Sequence, residues 1–421
     1  MISSDRYFTN FYDLTMCMTN AVELISPEIS GHHRQVAFLA GEIADELALP
    51  IEQKRTLVTA ALLHDVGAIP LNEKLDYDRE EDDSVNRHAV IGAELLSGFP
   101  RLKRAAAVIR YHHTLWRGGE GRFVGGREVP PLSHILHLAD RIAVRARQDG
   151  YILTQIPAIR ESIVGREGCV FAPEAVRAFL NICEKEALWL EFLSPSRFSD
   201  TPTELSLKSV RLTLDETVGL TRIFSGIIDF RSPFTAMHSA GVSAVARRLA
   251  ELSGFSEDEC KMMSIAGNLH DIGKLAIPRE ILEKQDRLEP SEYDVIRSHS
   301  YYTYRLLQPV DGFGEITQWA AYHHEKLNGK GYPFHLKAGQ LSLGARMMAV
   351  ADIFTAITED RPYRAGMAKE RAVTILNGMA ESGGISPSVL ALLLGRYDEI
   401  AELRKTAADS AVGRYDSLLQ R

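Results

Sequence analysis

The sequence predicts an all-α protein built as two tandem helical bundles, and three observations carry that prediction. Apolar residues recur at helical spacing after two histidines. They are Val36, Leu39, Ile43 and Leu47 after His32, and Val242, Val245, Leu249 and Leu252 after His238, the stripe that a helix buries. Alternating strand patterns with hairpin signals are missing. The chain also contains itself twice.

The repeat shows in its polar landmarks. AALLHDVGAIP at Ala60–Pro70 returns as AGNLHDIGKLAIP at Ala266–Pro278, so that His64 and His270 stand 206 apart. His32 and His238 are also 206 apart, His88/His299 and His112/His323 are 211 apart, and Asp140/Asp352 are 212 apart. VFAPEAVRAFL from Val170 and GISPSVLALLL from Gly384 share a proline at an offset of 214. So small a drift across so many landmarks marks a tandem duplication. The copies are expected at Met1–Ser196 and Thr203–Arg421, joined by the Ser-, Pro- and Thr-rich linker Ser194–Glu204. Within the second copy, Gly254–Ser256 predicts one helix ending on glycine and the next opening on a serine cap. Apolar spacing over Ser206–Phe230 predicts a helix leading into that copy.

Composition narrows the function. With 421 residues the chain has room for two or three domains. Its 48 Lys+Arg against 56 Asp+Glu leave a net charge of −8, which argues against a non-specific DNA binder, since that needs a basic surface. Cys17, Cys169, Cys183 and Cys260 are too scattered for a disulfide framework or a CxxC zinc site. No apolar run is long enough for a membrane span, and MISSDRYFTNFYDLTMCMTN lacks the apolar core of a signal peptide. A soluble, cytoplasmic protein is expected.

The chemistry lies in the repeated polar residues. The second copy carries His238, His270, Asp271, His299, His323, His324 and Asp352, and imidazoles with carboxylates suit divalent iron, manganese or zinc. Neighbouring residues on a helix point about 100° apart, so His270 and Asp271 are expected to serve two adjacent metals with the carboxylate as bridge. Two such metals can hold a hydroxide between them and clamp both oxygens of an in-line displacement at phosphorus. Packing alone does not call for polar types at matching positions in both copies.

HDIGK at His270–Lys274, HHEKLNGKGYP at His323–Pro333 and AVADIFTAITEDRPYR at Ala349–Arg364 resemble the HD-GYP branch of the HD metal-dependent phosphohydrolases. The likeness runs over about Phe224–Gly395. It implies an all-α domain of the HD superfamily with a binuclear or trinuclear iron or manganese centre. The implied activity is hydrolysis of the cyclic dinucleotide c-di-GMP to linear pGpG and often GMP, with some members acting instead on mixed cyclic GMP-AMP. By the resemblance the seven residues above are metal ligands and Asp271 is the bridge. Lys274 then faces the phosphate, stabilising charge or delivering a proton to the leaving oxygen. Arg361 and Arg364 match a basic pair suited to phosphate or guanine. Gly331 and Tyr332, with Gly329 and Pro333, form the signature loop. Its glycines permit close approach of a substrate or of a signalling partner such as a diguanylate cyclase.

Two departures from the family pattern bear on this. Thr355 stands where the family often has Asp after the last ligand. Trinuclear members carry a carboxylate just before the first histidine, whereas here the nearest acid is Asp229. Two metals are therefore expected.

The first copy keeps His32, His64, Asp65, His88, His112, His113 and Asp140, a candidate second metal site. The counterpart of Lys274 is Ala68, no GYP follows His112–His113, and nothing like RPYR follows Asp140. This copy is expected to bind metal without hydrolysing c-di-GMP, and to regulate, to dimerise or to bind a different small ligand. The expected whole is a cyclic-dinucleotide phosphodiesterase acting on c-di-GMP. The alternatives are a cyclic GMP-AMP phosphodiesterase of the same mechanism, or a non-catalytic dinucleotide receptor.

Overall fold

A computed structural model describes residues 8–26, 30–68, 85–146, 150–193, 207–229, 238–284, 286–360 and 365–419. The expected linker at Ser194–Glu204 and both expected domain limits lie outside these residues, as do Arg361 and Arg364. The chain divides into two compact units, Met18–Val210 and Arg211–Arg421 together with Met1–Cys17. Residues 8–17 thus group with the second copy.

The described residues are overwhelmingly helical. In chain order the helices are α1 (Phe11–Glu23), α2 (His32–Glu46), α3 (Ile51–Leu63), α4 (Val85–Ser97), α5 (Lys103–Arg110), α6 (Pro131–Arg145), α7 (Ile152–Val164), α8 (Pro173–Ile182) and α9 (Glu186–Phe192). The second copy follows with α10 (Leu214–Asp229), α11 (His238–Leu252), α12 (Glu257–Leu269), α13 (Pro290–Leu307), α14 (Gly314–Ala321), α15 (Leu343–Thr358), α16 (Lys369–Glu381), α17 (Pro387–Gly395) and α18 (Tyr397–Leu419). A four-residue helix over Arg279–Leu282, short 3-10 turns and four two-residue strands accompany them. β1 (Thr9–Asn10) pairs antiparallel with β4 (Arg211–Leu212), and β2 (Phe123–Val124) with β3 (Arg127–Glu128).

In the first unit α2 packs against α3, α6 and α8, while α4 lies on α5. The stripe Val36, Leu39 and Ile43 is fully buried, as its helical spacing requires. In the second unit α11 packs against α12, α15 and α18, with Val242, Val245 and Leu249 fully buried. Gly254 takes φ 81°, a left-handed conformation that suits glycine just past a helix end. Ser256 then caps α12 reciprocally with Glu259.

The helix expected over Ser206–Phe230 begins only at Leu214. Arg211 and Leu212 pair as strand β4 instead, and Thr213 starts the helix by exchanging hydrogen bonds with Glu216. A second difference concerns the His–Asp dipeptide. α12 stops at Leu269, and His270 and Asp271 lie at its exit before a 3-10 turn over Ile272–Ala276. Thr303 on α13 fixes this exit, its hydroxyl accepting from Gly273 N–H at 3.1 Å and donating to the His270 carbonyl at 2.9 Å. A Cβ on Gly273 would lie 2.0 Å from the His299 carbonyl oxygen, so the turn can approach α13 only with glycine there.

Candidate metal centre

In the second unit α11 places His238, the exit of α12 places His270 and Asp271, and α13 places His299. The end of α14 places His323 and His324, and α15 places Asp352. All seven side chains converge. His238 Nε2 lies 3.0 Å from Asp352 Oδ1, and His270 Nε2 lies 3.3 Å from Asp271 Oδ2 and 4.0 Å from Asp352 Oδ1. The other oxygen, Asp271 Oδ1, faces His299 Nε2 at 3.6 Å and His323 Nε2 at 4.0 Å. His324 Nδ1 is 3.8 Å from Asp352 Oδ2. The Asp271 carboxylate therefore stands between two donor sets, one oxygen toward each.

The histidines are aimed by backbone. His270, His299 and His323 each bring Nδ1 to the carbonyl three residues earlier, at 2.8, 2.6 and 2.6 Å. A carbonyl can only accept, so Nδ1 carries the proton and Nε2 presents a lone pair to the centre. Burial and the neighbouring His324 push His299 down to about 3, and burial likewise takes His324 down to about 4 and His323 well below the usual imidazole range. These rings are neutral at physiological pH.

The result is a concentration of acceptors with little to donate to them. His299 and His323 turn their Nε2 atoms to each other at 3.2 Å, with the Ser300 hydroxyl a further 3.2 Å from that of His299. His270 Nε2 is buried without a hydrogen-bond partner. Buried acceptors without donors are costly, and a divalent cation relieves all of them together. His238, His270 and Asp352 bring one donor atom each within 4.8 Å of one another, as do His299, His323 and His324. The donor set fits divalent metal.

One group beside the centre, Glu359, was not singled out by sequence. Glu359, just past α15, lies 3.0 Å from His238 Nδ1, on the ring edge opposite Asp352. Burial disfavours charge on this imidazole, but the Glu359 and Asp352 carboxylates prevail and push it up to about 10. Glu359 follows Asp352 by seven residues, two helical turns, which is the one signal that could have found it. Asp229, the acid nearest before His238 in sequence, is engaged elsewhere. Its Oδ1 accepts from the Ser239 hydroxyl at 2.7 Å, and burial, only partly offset by that bond, pushes it up to about 7. Thr355 packs beside Gly241 and is no part of the donor set.

Lys274 lies on the 3-10 turn and brings Nζ to 2.5 Å from Asp271 Oδ2. Burial works against its charge, but Asp271 overrides this and holds it an ammonium. The signature loop is anchored by Glu325, which accepts from Phe334 N–H at 2.7 Å and Leu336 N–H at 2.9 Å. A Cβ on Gly331 would fall 2.4 Å from Glu325 Cα, so glycine lets the loop close on this residue. Tyr332 then sets its ring 4.8 Å from that of His324, with the Arg297 guanidinium 5.1 Å from its centroid.

Comparison with known proteins decides the family. Residues 222–389 match one family model described as an HD domain, and residues 29–145 match another of the same description. The chain carries two HD domains. A 3′3′-cGAMP-specific phosphodiesterase 1 of Vibrio cholerae is 28% identical over 94% of this chain and 93% of that protein. A cyclic di-GMP phosphodiesterase of Pseudomonas aeruginosa is 38% identical over 37% of this chain and 37% of that protein. Among solved structures, a cyclic GMP-AMP-specific phosphodiesterase of V. cholerae covers 93% of this chain and 98% of its own at 22% identity. Its TM-score of 0.62 shows the shared all-α fold.

The first HD domain assembles the same set. His32 Nε2 lies 3.1 Å from Asp140 Oδ1, His64 Nε2 3.2 Å from Asp65 Oδ2, and His88 Nε2 3.4 Å from Asp65 Oδ1. His113 and His88 bring Nε2 atoms to 3.1 Å. His64 and His112 give Nδ1 to carbonyls at 2.8 and 2.7 Å, as their counterparts do. Two things differ. Ala68 offers no charge where the second domain has Lys274, and Arg141 grips Asp140 Oδ2 at 2.7 and 3.0 Å.

Proposed function

We propose that the second HD domain is a metal-dependent phosphodiesterase for cyclic dinucleotides and that its substrate is 3′3′-cyclic GMP-AMP. The observation that carries the reaction class is the split Asp271 carboxylate between two sets of imidazoles, three of them aimed by backbone carbonyls. His238, His270, Asp271 and Asp352 would hold one divalent metal, and Asp271, His299, His323 and His324 a second, iron or manganese by the resemblance to HD-GYP domains. Bound there, two such ions supply Lewis acidity and an activated water.

The remaining roles belong to the chain's own groups. Lys274 keeps an ammonium beside Asp271, placed to steady a phosphoryl oxygen and to hand a proton to the leaving ribose oxygen. Tyr332 presents an aromatic ring at the mouth, a face on which a nucleobase stacks. Arg361 and Arg364 are proposed to bind phosphate or guanine on the strength of the RPYR pattern. The loop around Gly331 is also the proposed face for a signalling partner, and the cytoplasm, where such messengers act, the proposed compartment. Among the described residues no helix is long and apolar enough to cross a membrane.

The choice of dinucleotide departs from the c-di-GMP that led in the sequence reading. Its support is that the relative named for cyclic GMP-AMP matches nearly the whole chain, while the one named for cyclic di-GMP matches about a third. The test is turnover of both dinucleotides by anaerobically purified protein loaded with iron or manganese, with Asp271→Ala as control. Expected is cleavage of cyclic GMP-AMP faster than of c-di-GMP, abolished in the variant. Faster cleavage of c-di-GMP overturns the substrate, and no cleavage of either by metal-loaded protein overturns the enzyme.

A further inference from the structure

The first HD domain holds a buried histidine that the second lacks. His33 follows His32 on α2 and is fully buried. Its Nε2 lies 3.7 Å from Asp65 Oδ2, and its Nδ1 3.4 Å from Oε1 of Glu23, the last residue of α1. Neither approach has hydrogen-bond geometry. Glu23 Oε1, both His33 nitrogens and His64 Nε2 are buried atoms without a hydrogen bond among the described residues. His33, His64 and Asp65 bring one donor atom each within 4.8 Å of one another.

The duplication shows what has been exchanged. The residues 206 after Glu23 and His33 are Asp229 and Ser239, which satisfy each other through a hydroxyl–carboxylate hydrogen bond of 2.7 Å. The residue 206 after Ala68 is Lys274, whose ammonium sits on Asp271 Oδ2. In the first domain the equivalent carboxylate oxygen, Asp65 Oδ2, faces an imidazole nitrogen instead. A positive charge has been replaced by an electron-pair donor, and a carboxylate stands behind that donor's other nitrogen. Carboxylate, imidazole and metal in line is the arrangement that orients a metal-ligating histidine and raises its basicity.

We propose that the first HD domain retains a divalent metal in a closed, non-hydrolytic site, in which His33, oriented by Glu23, is a ligand beside His32, His64, Asp65 and Asp140. Five protein ligands leave little room for the open position that hydrolysis requires. Arg141 further occupies Asp140 Oδ2. This inference rests on the reading of HD ligand sets as metal sites, and the experiment separates the two.

The full chain carrying His270→Ala and Asp271→Ala, which disable the second centre, is reconstituted with Mn(II) beside the parent, desalted, and its metal counted per chain. Expected is Mn(II) retained by the disabled chain, with affinity in chelator competition lowered at least about tenfold by His33→Ser and less by Glu23→Gln. The Mn(II)-dependent rise in melting temperature, read within each variant, should shrink in the same order. If His33→Ser fails to fold, Glu23→Gln carries the test. No metal on the disabled chain while the parent holds it overturns this inference and spares the phosphodiesterase reading. Affinity indifferent to both substitutions also overturns it, and no metal on either chain overturns both.

Discussion

Glu359 and Asp352 grip His238 from opposite edges, each 3.0 Å from a ring nitrogen. The imidazole can turn away from the centre only by giving up Glu359. Glu359→Gln keeps the shape and removes the charge that raises the ring's basicity. Metal affinity should fall about 10- to 100-fold, read by competition with a chromophoric chelator.

Lys274 tests chemistry apart from metal retention. Lys274→Ala removes the ammonium beside Asp271 without touching an imidazole. Turnover should fall about 10²- to 10³-fold, the loss typical of one preorganised charge stabiliser, while metal per chain by mass spectrometry stays the same. A parallel loss of metal would mean that the lysine holds the carboxylate in place rather than acting on the phosphate.

Glu325 ties the signature loop through two backbone N–H groups. Glu325→Ala leaves both without their acceptor in a partly buried place, at a cost of about 1–3 kcal/mol. Thermal melting should register this loss, and KM for the dinucleotide should rise more than kcat falls, because the loop carries Tyr332 and none of the donor set.

Acid should loosen the metal-free protein. His299 and His324, held down to about 3 and 4, refuse protons that an unfolded chain accepts near its ordinary value of about 6.5. Between those values the unfolded state binds more protons. Stability is therefore full above pH 6.5 and falls as the pH drops, by about 1.4 kcal/mol per pH unit for each such ring. His238 works at the other end, since its raised value favours the folded state until the pH climbs through about 10. Denaturant midpoints of chelator-stripped protein at pH 7, 6 and 5 should decline in that order, and bound metal should flatten the decline.

Much of this was legible in the residues alone. Helical spacing placed α2 and α11, and the constant offsets picked out fourteen polar positions that the fold gathers into two clusters. The offsets worked because a donor set tolerates no change of chemical type, while the surrounding surface drifts. What escaped depended on geometry that no local pattern encodes. The dipeptide at His270 was expected within a helix, yet it lies at a helix exit held by Thr303, thirty residues on. His33 stands in plain view beside His32, but its meaning emerges only when Glu23 is seen behind it and Ser239 in its place. The pairing of β1 with β4 joins two-residue strands some two hundred positions apart, too short to leave a pattern.

That pairing has a consequence for how the molecule is made and cut. Thr9 is the partner of Leu212 and Asn10 that of Arg211, so the second unit is drawn from both sides of the first, and the first HD domain is in topological terms an insertion. A fragment begun at Arg211 would lack its partner strand and the opening turns of α1, where Phe11, Tyr12 and Leu14 are buried. During synthesis, the leading strand must wait about two hundred residues for its mate. A second unit excised without residues 8–17 and found inactive would therefore say little about catalysis until they were spliced back onto it.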